Sequence, residues 1–112
     1  MRDEEIFFMD LVPAGGEDAH GDPVMKERMS GAVYAESRSI GQTEFYQAET
    51  AGLRPEIKFV ITDYLDYQGQ QYLVHDGTRY TVLKTYRKSS NELEITCYGG
   101  VRDAGAAVSD KD

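Results

Sequence analysis

Apolar and polar residues alternate with a period of two through most of the second half of the chain, and that pattern predicts strands. In EIKFVIT (Glu56 to Thr62), Ile57, Phe59 and Ile61 point one way while Lys58, Val60 and Thr62 point the other. The connection DYLDYQGQ follows, rich in tyrosine and acid, with Gly69 as its turn residue. QYLVH (Gln71 to His75) reads as a strand, and Asp76-Gly77 after it is a strong signal for a two-residue hairpin turn. TRYTVLKTYR (Thr78 to Arg87) is the return strand, KSSN a second turn, and ELEITCY (Glu92 to Tyr98) the closing strand. Gly99-Gly100 then reads as the end of the domain. Period-2 placement nominates Ile57, Phe59, Ile61, Val74, Tyr80, Val82, Leu93, Ile95 and Cys97 as the core.

The first half is less regular. EIFFMDLV (Glu5 to Val12) predicts a first strand, closed by Pro13. PAGGEDAHGDP (Pro13 to Pro23) predicts a long flexible loop, because it combines three glycines, two boundary prolines and no periodicity. Val24 to Met29 predicts a short strand, Ser30-Gly31 a break, and AVYAESR (Ala32 to Arg38) another strand. One helix is predicted, QTEFYQAETA (Gln42 to Ala51), where good helix formers dominate. Ser39 or Gly41 suits its start, Glu44 complements the dipole of the first turn, and Gly52 and Pro55 stop it. Phe45, Ala48 and Gly52 share one face, with Ile40 as a staple. So narrow an apolar stripe places the helix outside a sheet.

The expected fold is therefore mainly β: a small antiparallel β-barrel of about six strands with one inserted α-helix and a long flexible loop. Residues 1–100 form one domain. The stretch from Val101 to Asp112 is small, polar and aperiodic, which predicts a disordered tail.

Composition narrows the function. A chain of 112 residues can bury one modest core unaided. No run approaches the ~18 consecutive apolar residues of a membrane helix. The start MRDEEIFFMD is acidic where a secretory segment would be basic, so the chain is expected to stay in the cytoplasm of the cell that makes it. Twenty acidic residues against 12 basic ones leave a net charge of −8, which argues against a surface built to grip nucleic acid.

Constellations for chemistry are missing from the pattern. His20 and His75 are isolated, with no ligand-like partner at helical or strand spacing. The acidic groups Asp3-Glu4-Glu5, Glu17-Asp18 and Asp63/Asp66 fall in segments expected to be solvated, whereas acid–base work needs a carboxyl in an apolar pocket. The single cysteine, Cys97, excludes an internal disulfide and reads as a small core hydrophobe; as a nucleophile it would need a partnering base. No catalytic residue, metal or cofactor is predicted, and the chain reads as a non-enzyme.

The tyrosines carry more. Of eight, Tyr64, Tyr67, Tyr72, Tyr80, Tyr86 and Tyr98 fall in the β-rich half. They suit packing over the ends of a barrel with the hydroxyl in water, and equally a tyrosine-rich subunit interface. Interface centres favour aromatic and arginine side chains. The candidates are thus Phe45, Tyr46 and Glu49 on the helix, with Arg54, and the connector residues Tyr64 and Tyr67.

From about Val33 to Cys97 the order of features resembles the phage head-tail joining family, also described as head closure, head-tail adaptor or stopper proteins. Val33, Ala35, Ser39, Glu44, Phe45 and Ala48 match the family's strand and run into the helix. Asp76, Gly77, Arg79, Tyr80 and Val82 match its hairpin block, and Leu93, Ile95 and Cys97 its closing strand. The acidic start departs from the basic stretch with which such proteins often begin. The resemblance implies a small β-barrel with one helix that assembles as a homo-oligomeric ring beneath the portal, in the neck of the virion. Its partners would be portal or adaptor ring proteins and tail proteins. The ring would retain packaged DNA, let it pass without specific binding, and dock the tail. A tail-side neck or tail completion protein is the nearest alternative. A small barrel that binds single-stranded nucleic acid is a third, opposed by the acidic balance.

Overall fold

The computed structural model describes residues 4–42, 52 and 54–102. Seven strands form one antiparallel sheet: β1 (Glu4–Glu17), β2 (Pro23–Met29), β3 (Val33–Arg38), β4 (Pro55–Ile61), β5 (Tyr72–His75), β6 (Thr78–Arg87) and β7 (Leu93–Arg102). A one-turn 3-10 helix, Tyr64–Asp66, interrupts the connection from β4 to β5. The strand order is β2-β1-β3-β4-β7-β6-β5, and β5 pairs again with β1. Six strands thus close into a ring, and β2 lies outside it. The closure is strongly staggered. One way round, Glu4, Ala35, Ile61, Leu93 and Arg87 form a row of partners; the other way, Ile6 leads through His75 to Thr78. The two routes reach β6 at its opposite ends, as tilted strands in a closed sheet require.

The core fills the ring with Ile6, Phe8, Ala35, Phe59, Ile61, Leu73, Leu93, Ile95 and Cys97. Ile57, Tyr80 and Val82 pack against it half-buried. Eight of the nine expected core residues therefore face this cluster. Val74 does not. It is buried, but Leu73 is the β5 residue inside, one step out of the expected register. Val60 and Thr96, on the opposite faces of β4 and β7, are also buried, so the wall is covered on its outside there too.

Three expectations for the strands change. β1 does not stop at Pro13, and the expected loop from Pro13 to Pro23 is mostly a two-stranded ribbon. Pro13 pairs with Met25 and Glu17 with Pro23. Proline is tolerated because the ribbon has a partner on one side only, which leaves a position where no N–H is needed. Gly15 and Gly16, at φ 81° and 127°, take up the irregularity between Pro13 and Glu17. The true turn spans only residues 18–22, where Asp18 Oδ1 accepts from the amides of His20 and Asp22. Likewise Gly99-Gly100 does not end the domain. β7 runs on to Arg102, and the two glycines stand opposite Tyr80 as a bulge, with Gly99 at φ 66°. The hairpin at Asp76-Gly77 forms as expected, both residues at positive φ. The expected helix, beyond Gln42, and the stretch 103–112 lie outside the described residues.

Candidate functional site

Each end of the closed sheet is finished by a different chemistry. At one end, Glu4, Ser37 and His75 meet. Glu4 and Ile6 share a face of β1, Ser37 and Ala35 a face of β3, and His75 and Leu73 a face of β5. Ile6, Ala35 and Leu73 are in the core, so the three polar side chains lie one step further along the same inner faces. Glu4 Oε2 accepts from Ser37 Oγ at 2.6 Å and from the Ser37 amide at 3.2 Å. Its Oε1 lies 2.8 Å from His75 Nε2. The hydrogen bond from the Ser37 hydroxyl is the largest influence on the Glu4 carboxyl; partial burial opposes it, and the net effect lowers the pKa below its ordinary 4.5. The His75 ring packs on Phe59 at 5.0 Å, and Phe59 on Tyr80 at 6.2 Å, which closes the core beneath.

Chemically this cluster is a clamp. Ser37 and His75 both engage the carboxylate rather than each other, so the hydroxyl faces not an imidazole but a carboxylate whose lowered pKa makes it a weak base. What the clamp does is tie β3 and β5 across β1, at the seam that closes the ring. Cys97 is equally unsuited to attack. It is fully buried, and burial pushes its thiol up to about 12.

The other end is closed by the connector. Tyr67 lies against Phe8 at 5.1 Å and its hydroxyl donates to Gln70 O at 2.8 Å. Burial raises its pKa. Tyr64 is a platform for Arg87, whose guanidinium sits 3.7 Å from the ring centroid. The Tyr64 amide also donates to Asn91 O, so the connector is fastened to the turn between β6 and β7.

The interface candidates from the sequence are not all brought together. Tyr64 and Tyr67 share this end. Arg54 lies immediately before β4, at the other end of a seven-residue strand and so about 20 Å away. Phe45, Tyr46 and Glu49 lie outside the described residues. Tyr64 and Tyr67 are both half-buried and packed against the core cluster, and Tyr64 in addition carries the Arg87 guanidinium.

Sequence reasoning missed two features. The Glu4 clamp joins residues 33 and 71 positions apart, and no local pattern announces it. The ribbon carries Leu11, Val24, Met25 and Met29, all exposed. The strand over VMKERM was expected, but the glycine-rich stretch before it hid the partner strand.

No family model matches the chain, and no curated protein matches it. Among the described residues, no helix is long and apolar enough to cross a membrane.

Proposed function

We propose that the protein is a structural subunit of a phage head-tail connector: a small β-barrel that assembles as a head closure or adaptor ring below the portal, retains packaged DNA and docks the tail. The observation that carries this reading is the β1–β2 ribbon. It leaves the closed sheet and holds four of its large apolar side chains in solvent, an arrangement suited to a subunit that neighbours complete. The sequence resemblance supports the same reading, and so does the charge. A channel for moving DNA works best without gripping phosphates, since each neutralised phosphate releases counterions and adds affinity. A net charge of −8 per chain, repeated around a ring, disfavours such a grip.

The test is loss of the protein during particle assembly. Heads that package DNA, then leak it and fail to join finished tails, are the expected outcome. Stable full heads beside incomplete tails would move the protein to the tail side of the neck. Purified protein that binds duplex DNA at sub-micromolar concentration in ~150 mM salt, where exposed charges are screened beyond ~8 Å, would favour a nucleic-acid-binding barrel instead.

A further inference from the structure

The turn that joins β5 to β6 carries a peptide bond with a chemistry of its own. Asp76-Gly77 is the one Asp-Gly pair in the sequence, and no Asn-Gly accompanies it. Asp76 is exposed, and both residues take positive φ, 52° and 76°, as the central positions of a type I′ turn do. Gly77 has no side chain to shield its amide nitrogen, and the space where one would stand is open. Arg102, at the end of β7, donates from Nη1 to the carbonyl oxygen of Asp76 at 3.1 Å and to Thr78 Oγ1 at 3.3 Å. That carbonyl belongs to the same peptide group as the Gly77 nitrogen. A cationic donor on an amide oxygen stabilises the anion left when the N–H of that amide ionises, as a donor aimed at any developing oxyanion does.

We infer that Asp76 is a modification site: the Asp76–Gly77 peptide closes spontaneously to a succinimide and reopens to isoaspartate, and Arg102 promotes the closure. The Gly77 amide gives its proton to solvent, and its nitrogen attacks Asp76 Cγ. The N–Cγ bond forms, the Cγ–O bond breaks, and the carboxyl hydroxyl takes a proton and leaves as water. Water then adds to the ring. Attack at Cγ restores aspartate. Attack at the main-chain carbonyl carbon breaks its bond to the Gly77 nitrogen, and the chain then runs through Cβ and Cγ. The turn must open briefly for the carboxyl to reach the nitrogen, and an exposed hairpin end is a place where local opening costs little. Isoaspartate lengthens the backbone by one methylene. A two-residue turn that holds His75 opposite Thr78 has no slack for it. His75 is the residue that meets Glu4 where the ring closes, so the modification falls on the seam.

The test incubates the full chain at neutral pH below its melting temperature. Mass spectrometry with electron-transfer fragmentation, which tells isoaspartate from aspartate, follows the peptide that spans residue 76. Isoaspartate should accumulate at residue 76 ahead of every other aspartate. Asp76→Glu, whose longer side chain closes a ring less readily, should abolish it. Arg102→Gln should slow the reaction several-fold, and Arg102→Lys should keep most of the rate. In urea, where the chain is unfolded, wild type and both Arg102 variants should react alike. As isoaspartate accumulates, the thermal melt should gain a second, lower transition in the wild type and none in Asp76→Glu. A folded chain that stays unmodified at residue 76 while the urea-unfolded chain reacts would mean that the turn protects the bond, and would overturn the inference. Equal folded-state rates in wild type and Arg102→Gln would overturn the part assigned to Arg102.

Discussion

Glu4 and His75 meet at 2.8 Å across the seam where the last partner strand joins the first, 71 residues apart in the chain. The same carboxylate holds Ser37 on the other side, so one side chain spans three strands at the point where the ring closes. Replacing Glu4 by glutamine should cost about 1 kcal/mol, a charge-assisted hydrogen-bond loss reduced by partial solvent exposure. The pH dependence has a definite sign. The folded-state pKa of Glu4 lies below its unfolded value of 4.5, so its contribution is fully present above that value. It is lost as pH falls through the folded value. Urea midpoints of the wild type and Glu4→Gln should therefore differ fully at neutral pH and converge as the pH falls below 4.5. A gap unchanged by acid would show that the ionised carboxylate is not its source.

Tyr80 and Gly100 are fitted to each other at the β7 bulge. A Cβ on Gly100 would stand 2.8 Å from Tyr80 Cε1 and 2.9 Å from Glu56 Oε1, the oxygen that accepts the Gly100 amide at 2.7 Å. Tyr80 cannot simply swing away, because its ring edge packs on Phe59. Gly100→Ala should destabilise by about 1–3 kcal/mol. The loss should be smaller in a Tyr80→Leu background, so a double-mutant cycle by thermal melting should show coupling between the sites. Additive losses would contradict the fit.

Strand positions were largely legible because hydrophobic alternation and turn chemistry are local. Asp76-Gly77 set the hairpin, and Phe59, Ile61, Leu93, Ile95 and Cys97 marked the inner face. What was not legible depended on partners. YLV in β5 gives no alternation, so nothing in it distinguishes Leu73 from Val74; the pairing with Phe8 and Tyr80 decides. Gly15-Gly16 and Gly99-Gly100 look like endings in one dimension, yet serve as irregularities within paired strands. The clamp at Glu4 arises only once the ring closes.

The register of β5 can be checked directly. Leu73→Ala opens a cavity inside the ring and should cost about 2–5 kcal/mol, comparable with Phe59→Ala or Ile95→Ala. Val74→Ala removes a smaller side chain from the opposite face and should cost clearly less. Denaturant midpoints with equal losses at 73 and 74 would mean that the strand sits in the other register.

The two connector tyrosines should separate by readout. Tyr67 closes the core over Phe8, so Tyr67→Ala exposes apolar surface and should destabilise by about 2–4 kcal/mol. Tyr67→Phe keeps the ring and loses only the bond to Gln70 O, about 0.5–1.5 kcal/mol. Tyr64 is half-buried against the same core cluster, and its distinctive contact is the stack with Arg87. Tyr64→Ala should cost less in global stability than Tyr67→Ala, about 1–2 kcal/mol, because it loses partial packing and a weak cation–π contact but no side-chain hydrogen bond like that of Tyr67. Its effect should be local: faster hydrogen exchange in the turn from Lys88 to Glu92, whose residue Asn91 accepts the Tyr64 amide. If Tyr64→Ala lowered the melting temperature as much as Tyr67→Ala, the two tyrosines would close the core equally. The connector would then be a plug with no surface role of its own.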